Sequence, residues 1–405
     1  MKEGDRFKCR VDSVAFGGDG VAHIEDMVVF IPQVLPGELV EAKIRKIKKD
    51  YLKAAAVNIL EPSPRRIVPE CKYFKYCPGC TYAHADYPLE LEMKLDQLKH
   101  ILKVENQTGA AGIASVFTGT SGGDTIPAKR NKIVLHVAKE RGETVLGYVS
   151  GNGSVADIEC CLAANPEINA ELTAMRSKPG FFHSLHDGMD VTLRYTENDG
   201  VVMWRNKPPR NVSWLKEKMP FGSFSVPAGS FSQVNPVGAA ALLELLTLEL
   251  KRKSADVVAD VYCGAGLFGL QAALCGAKRV IGIESDVNAV AAAKYNFKQY
   301  GFEDKTEFIA GDAAEMIGEV AAGMNDSGML IVDPPRGGME GKVIGAIGAS
   351  GVKRMVYISC NPSTLGRDLR RLAGYGFEAV QITMVNMFPR SGHFEVFTVL
   401  ERHGR

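Results

Sequence analysis

Val257-Val258-Ala259-Asp260-Val261-Tyr262-Cys263-Gly264-Ala265-Gly266-Leu267-Phe268-Gly269 decides the fold of this chain. A run of strand formers breaks into a glycine-rich turn, and an apolar helix follows. The pattern repeats downstream. Val280-Ile281-Gly282-Ile283-Glu284, Phe308-Ile309-Ala310-Gly311-Asp312 and Met329-Leu330-Ile331-Val332-Asp333 read as three more strands, each ending in a carboxylate. Helices are expected over Ala239 to Leu250 and from about Asp286 to Tyr300. Strands alternating with helices argue a parallel, doubly wound sheet. Such sheets bind ligands outside the carboxyl ends of their strands, which is where these acidic residues stand.

A glycine-rich strand–helix turn alone is a weak signal, because dinucleotides use it too. The carboxylates sharpen it: Glu284 follows the glycine loop by one strand, where a ribose diol can donate to it. The turn is Gly-x-Gly and lacks the third glycine that closes on a pyrophosphate. S-adenosylmethionine, a nucleoside cofactor without phosphates, therefore fits better than NAD. Asp333-Pro334-Pro335-Arg336-Gly337-Gly338 makes a rigid loop beside the cofactor, suited to a planar amide. Tyr357-Ile358-Ser359-Cys360-Asn361-Pro362 is a strand stopped by Asn-Pro, which delivers a thiol to the same edge. Its plain alternative is a small buried cysteine. Glu395 stands at the start of the last strand, Val396 to Leu400, and on position alone reads as a surface carboxylate.

The 405 residues suffice for two or three domains, and 46% apolar with 23% charged content is ordinary for a globular protein. A net charge of +1 excludes a global polyelectrolyte, so contact with nucleic acid must come from local patches. The start, Met1-Lys2-Glu3-Gly4-Asp5-Arg6, lacks the apolar core of a signal peptide, and no run is apolar enough to span a membrane. The nine cysteines are thus expected in a reducing cytoplasm, where grouped thiols mean metal or catalysis more often than disulfides.

Residues 1 to about 60 read as short strands with glycine turns, a small β-barrel. Lys43, Arg45, Lys46, Lys48, Lys49 and Lys53 alternate with Ile44, Ile47 and Tyr51, either a basic nucleic-acid face or a lysine-protected edge strand. Glu61-Pro62-Ser63-Pro64-Arg65-Arg66 reads as a linker. Cys71, Cys77 and Cys80 then fall in a Pro/Gly loop with thiolate-ligand spacing, and Cys160 and Cys161 are candidates for a fourth ligand. Zinc and an iron–sulfur cluster both accept that set. An amphipathic helix from Tyr87 to His100 leaves the cluster. Gly109 to Ser223 is less informative: three strands are expected, at Lys132–Val137, Val145–Val149 and Val191–Tyr195, and a loop at Thr118 to Asp124.

One reaction needs this set of groups. Carbon 5 of uracil is a poor nucleophile, but a thiolate adding to carbon 6 makes it an enolate, nucleophilic at carbon 5. A base must then remove the carbon-5 proton so that the thiolate can leave. Cys360, Glu395, Asp333 and the glycine-loop unit supply nucleophile, base, uracil contact and methyl donor.

Over essentially its whole length the chain resembles the RNA 5-methyluridine (uracil-5) methyltransferases, of the 23S rRNA type with a TRAM domain and an iron–sulfur cluster. The resemblance rests on Gly17-Gly18-Asp19-Gly20-Val21-Ala22, the three clustered cysteines, Phe231-Ser232-Gln233-Val234-Asn235, Ser359-Cys360-Asn361-Pro362, and Phe388-Pro389 followed by His393-Phe394-Glu395. It implies an α/β chain in three parts: a TRAM β-barrel over 1–61 that binds RNA, a central α/β iron–sulfur domain over 62–230, and a Rossmann-like methyltransferase domain over 231–405. It implies Cys360 as nucleophile and Glu395 as proton acceptor. Gln233, Tyr262, Glu284 and Asp333 would contact S-adenosylmethionine, with Asp312 near its adenine. Cys71, Cys77, Cys80 and Cys160 would hold a 4Fe-4S cluster, with Cys161 standing where the family has proline. Leu267 replaces a cofactor-contacting asparagine of some members, and Asn386 stands where aspartate is common. The expected product is 5-methyluridine in 23S rRNA, made by a cytoplasmic monomer. Transfer RNA is the alternative substrate, and a non-catalytic RNA-binding protein with a degenerate methyltransferase domain is the reading from another class.

Overall fold

The computed structural model describes residues 1–104, 115–117, 129–140, 142–151, 153–208 and 214–402. The loop expected at Thr118 to Asp124 lies outside the described residues.

The C-terminal sheet runs, in spatial order, Thr306–Ala310, Arg279–Glu284, Val257–Val261, Gly328–Val332, Arg354–Ser359, Glu395–Arg402 and Phe377–Val385, with Ser115–Phe117 outermost. The first five strands are parallel. Glu395–Arg402 is inserted antiparallel between Arg354–Ser359 and Phe377–Val385. Alternation of side chains explains the two layers of helices. Val258, Met329, Ile331, Val356 and Ile358 pack to one face, with helices Pro236–Arg252, Leu267–Leu274 and Val287–Gln299. Ala259, Leu330, Val332, Met355 and Tyr357 pack to the other, with Ala313–Ala322, Gly341–Ala349 and Pro362–Ala373. A parallel strand buried on both faces reads as the continuous apolar runs seen in the sequence.

The N-terminal barrel is a six-stranded sheet ordered Arg6–Arg10, Leu39–Ile47, Tyr51–Glu61, Met27–Ile31, Gly20–Ile24 and Ser13–Val14, around Val11, Ala22, Val29, Ile31, Ala42 and Ile44. Its basic residues lie on the Leu39–Ile47/Tyr51–Glu61 hairpin, where Arg45, Lys46, Lys48, Lys49 and Lys53 are exposed. The stretch read as a linker is tied down instead. Arg66 donates from Nε at 2.6 Å to the fully buried Glu38, and Arg65 grips Asp86 through two nitrogens at 2.9 Å. Sequence spacing showed the prolines but not these long-range carboxylate partners.

The central unit is an antiparallel sheet of Val155–Asp157, Glu143–Val149, Lys132–Glu140, Asp190–Thr196 and Gly200–Arg205, with helix Pro166–Ser177 against it. A hairpin, Trp214–Met219 with Gly222–Pro227, joins it to the C-terminal sheet and packs on helix Val287–Gln299 through paired Ser225–Asn296 hydrogen bonds of 2.8 Å. No helix among the described residues is long and apolar enough to cross a membrane.

Candidate active site

Register brings the sequence-selected residues to one edge. Val261 pairs with both Ile283 and Val332, so the next residues, Tyr262, Glu284 and Asp333, stand level on three adjacent strand ends. On the next two strands of the sheet, Ser359 pairs with Val396. One residue more in the same antiparallel register sets Cys360 opposite Glu395. The half-buried thiol and the buried carboxylate therefore meet because a strand ending in Cys360 runs against a strand beginning at Glu395.

The cleft beside them, about 480 Å³ including its open mouth, is lined by Gln233, Tyr262, Cys263, Gly264, Ala265, Phe268 and Asp333 from the C-terminal unit and by Glu217 and Met219 from the hairpin. Gly266 caps the following helix at φ +85°, and a Cβ there would lie 3.1 Å from Phe297, so the turn needs glycine. Tyr262 holds a left-handed φ of +66° without that licence, which is local strain at the cleft wall. Gln233 Nε2 lies 3.5 Å from Asp333 Oδ2. The donor set suits a cationic nucleoside: a carboxylate and an amide at one end, apolar walls, and a glycine turn that allows close approach.

The other two expected cofactor residues also hold the backbone at this edge. Glu284 accepts from the backbone N–H of Gly264 at 3.0 Å and of Asp286 at 2.8 Å, so it braces the glycine loop and is not among the cleft-lining residues. Asp312 is exposed and caps helix Ala313–Ala322, accepting from Ala314 N–H at 2.7 Å. Asn235, in the segment expected to contact cofactor, is a helix N-cap. It accepts from Val237 and Gly238 and donates to the Met387 carbonyl at 2.8 Å, tying this segment to the Glu395 loop.

Burial dominates the electrostatics. It pushes the Cys360 thiol up to about 11, the Glu395 and Asp333 carboxylates add to that rise, and Arg336 opposes it. Glu395 is driven well above the carboxylate range by burial and then by Asp333, with Arg336 again opposing. Burial lifts Asp333 to about 7. Glu395 Oε2 is buried with no hydrogen-bond partner. A buried carboxylate oxygen left bare beside a thiol is costly structurally and is the form a proton acceptor takes before its substrate arrives.

The Glu395 loop also touches the barrel. Phe16 meets His393 and Phe394 edge-on, at 5.9 and 5.6 Å between centroids. Gly392 abuts the Gly17 backbone so closely that a Cβ would fall 2.5 Å from its carbonyl oxygen. The sequence did not reveal this contact, nor the inward carboxylate Glu217, which the burial alternation of Leu215, Glu217 and Met219 would have flagged.

Cys71, Cys77, Cys80, Cys160 and Cys161 line one cavity of about 590 Å³, including its open mouth, together with Arg130 and Tyr148. The expected ligands are therefore neighbours, and five thiols on mainly apolar walls match the chemistry of a thiolate-ligated group. They are not drawn to ligand spacing: among the described residues no group of three or more His, Cys, Asp or Glu converges so as to hold a metal ion. Cys161 is as well placed as Cys160 and accepts from Tyr148 Oη at 3.7 Å.

The sequence model of the tRNA (uracil-5-)-methyltransferase family matches residues 221–403, and that of the TRAM domain matches residues 2–57. A protein of Clostridium acetobutylicum described as an uncharacterized RNA methyltransferase is 28% identical, covering 99% of this chain and 98% of its own. One of Caldanaerobacter subterraneus is 29% identical, covering 99% of each. The structure of Pyrococcus abyssi tRNA (uracil-54, C5)-methyltransferase with S-adenosyl-L-homocysteine superposes with a TM-score of 0.72 at 20% identity, covering 97% of this chain and 100% of that one.

Proposed function

We propose that this chain, a member of the RNA uracil-5 methyltransferase family with a TRAM domain, forms 5-methyluridine in RNA through Cys360 as nucleophile and Glu395 as proton acceptor. The observation that carries the reading is the opposition of Cys360 to Glu395 at the strand ends, with one Glu395 oxygen buried and bare. The Cys360 thiolate adds to uracil carbon 6 and carbon 5 becomes nucleophilic. S-adenosylmethionine, which Gln233, Tyr262, the Gly264–Gly266 turn and Asp333 would hold, would give its methyl group to carbon 5 and leave as S-adenosylhomocysteine. Glu395 then takes the carbon-5 proton, and expulsion of the thiolate restores the ring and the enzyme. The exposed basic hairpin and the barrel contact at Phe16 bring RNA affinity next to the chemistry, and the target base would enter unstacked from a loop.

The test uses RNA in which uridine is replaced by 5-fluorouridine. Fluorine cannot leave carbon 5 as a cation, so the reaction halts with Cys360 bonded to carbon 6. Wild-type protein with S-adenosylmethionine should give a denaturation-resistant protein–RNA adduct. RNA binding without adduct would favour the non-catalytic reading.

A 4Fe-4S cluster held by Cys71, Cys77, Cys80 and either Cys160 or Cys161 is part of the proposal, supported by the thiol-lined cavity, and 23S rRNA ahead of transfer RNA follows from the resemblance to the ribosomal type. Protein purified without oxygen should contain iron and acid-labile sulfide and absorb in the visible. Stoichiometric zinc without iron would overturn the cluster. Mass mapping of ribosomal and transfer RNA from a strain lacking the protein separates the two substrates.

A further inference from the structure

The loop that ends in Glu395 is gripped by a buried ion pair from a distant part of the chain. Helix Tyr87–Val104 carries Glu90 and Lys94 one turn apart, and both side chains are fully buried. Lys94 Nζ donates to Glu90 Oε1 at 2.8 Å, to Asn386 Oδ1 at 2.7 Å and to the Phe388 carbonyl at 3.1 Å. An ammonium has three donors, and all three are used. Glu90 Oε1 also accepts from Asn386 Nδ2 at 3.1 Å and from Arg390 N–H at 2.9 Å, and the Arg390 guanidinium lies 3.5 Å from its other oxygen. One turn of helix thus fixes residues 386, 388 and 390. Val385, just before them, pairs with Glu395 in the sheet, so the gripped loop starts and ends at the carboxylate.

Burying two charges is a poor way to gain stability, since apolar replacements of such pairs are often neutral or better. What three directed hydrogen bonds provide is position. We infer that Glu90 and Lys94 are positioning residues for Glu395, holding its loop so that the carboxylate meets the carbon-5 proton. The inference rests on the function proposed above. It confines their effect to the second half of the reaction: cofactor binding and thiolate addition proceed, and proton removal slows.

Two variants test it. Glu90→Gln with Lys94→Met removes both charges of the pair together and leaves the Arg390 guanidinium on the Ala85 carbonyl. Asn386→Ala cuts the loop side of the contact and keeps the pair. The expected results are S-adenosylhomocysteine affinity and 5-fluorouridine adduct formation within about threefold of wild type, with kcat on ordinary RNA down about 100-fold in the double variant and the KM for RNA falling with it. Adduct should accumulate on ordinary uridine RNA, because removal of the proton has become limiting. Unchanged kcat, or adduct formation lost in step with turnover, overturns the inference. So does a double variant that cannot fold beside an Asn386→Ala protein of wild-type kcat. Wild-type protein that forms no adduct refutes the underlying function instead, a result the variants do not share.

Discussion

Cys360→Ala should abolish methylation, with a loss on the order of 10⁴-fold or more, and should leave no adduct with 5-fluorouridine RNA. Its S-adenosylhomocysteine affinity should stay within about threefold, since Cys360 is not among the residues lining the cleft. Alanine removes little volume at a half-buried position, so loss of fold is not the expected cause. Chemistry makes the effect large: without the bond to carbon 6, carbon 5 has no electron density to offer a methyl donor. The thiol's environment adds a pH signature. Burial and the Glu395 and Asp333 carboxylates raise it to about 11, so the free enzyme holds it protonated near neutrality. Adduct formation by wild type should therefore rise with pH above neutrality. Methyl transfer that survives in Cys360→Ala would refute the nucleophile.

The C-terminal fold was legible because doubly buried strands leave continuous apolar runs, and because each ends in a residue with visible chemistry. Register was legible only in part. The sequence set Cys360 at the end of one strand and Glu395 at the start of another, but on position alone Glu395 read as a surface carboxylate. Insertion of the last strand antiparallel beside the Cys360 strand is what buries it and turns it to the thiol. Partners distant in sequence were not legible at all. Arg66 reaches Glu38 and Lys94 reaches Asn386, 292 residues away, and neither leaves a local pattern. Glu284 and Asp312 were legible as strand-end carboxylates, but the backbone N–H groups they accept from, in the glycine loop and at a helix start, were not. The cysteines show the same limit: spacing singled out Cys71, Cys77 and Cys80, and the fold is what brings Cys160 and Cys161 to the same cavity.

Glu395→Gln should separate the two halves of the reaction. Glutamine keeps the shape and a carbonyl oxygen but cannot take a proton, so turnover should fall by about 10²- to 10⁴-fold. Unlike Cys360→Ala, this variant should still attack carbon 6 and accept the methyl group, and then stall. Covalent protein–RNA adduct should therefore build up on ordinary uridine RNA when S-adenosylmethionine is present, with no fluorine needed. The pH dependence follows from the same burial. Glu395 titrates well above the ordinary carboxylate range, raised by burial and then by Asp333 and opposed by Arg336. A base works deprotonated, so wild-type kcat should climb as pH rises, and that climb should vanish in Glu395→Gln while adduct formation keeps its own. Stability has the opposite sign. A carboxyl whose pKa is raised on folding stabilises below its unfolded value and loses that contribution as pH rises through the folded one. Above the ordinary carboxylate range the wild type bears the cost of that buried carboxyl, so Glu395→Gln should melt no lower than wild type at alkaline pH. Near-wild-type turnover, or failure to form any adduct, would remove Glu395 from the role of base.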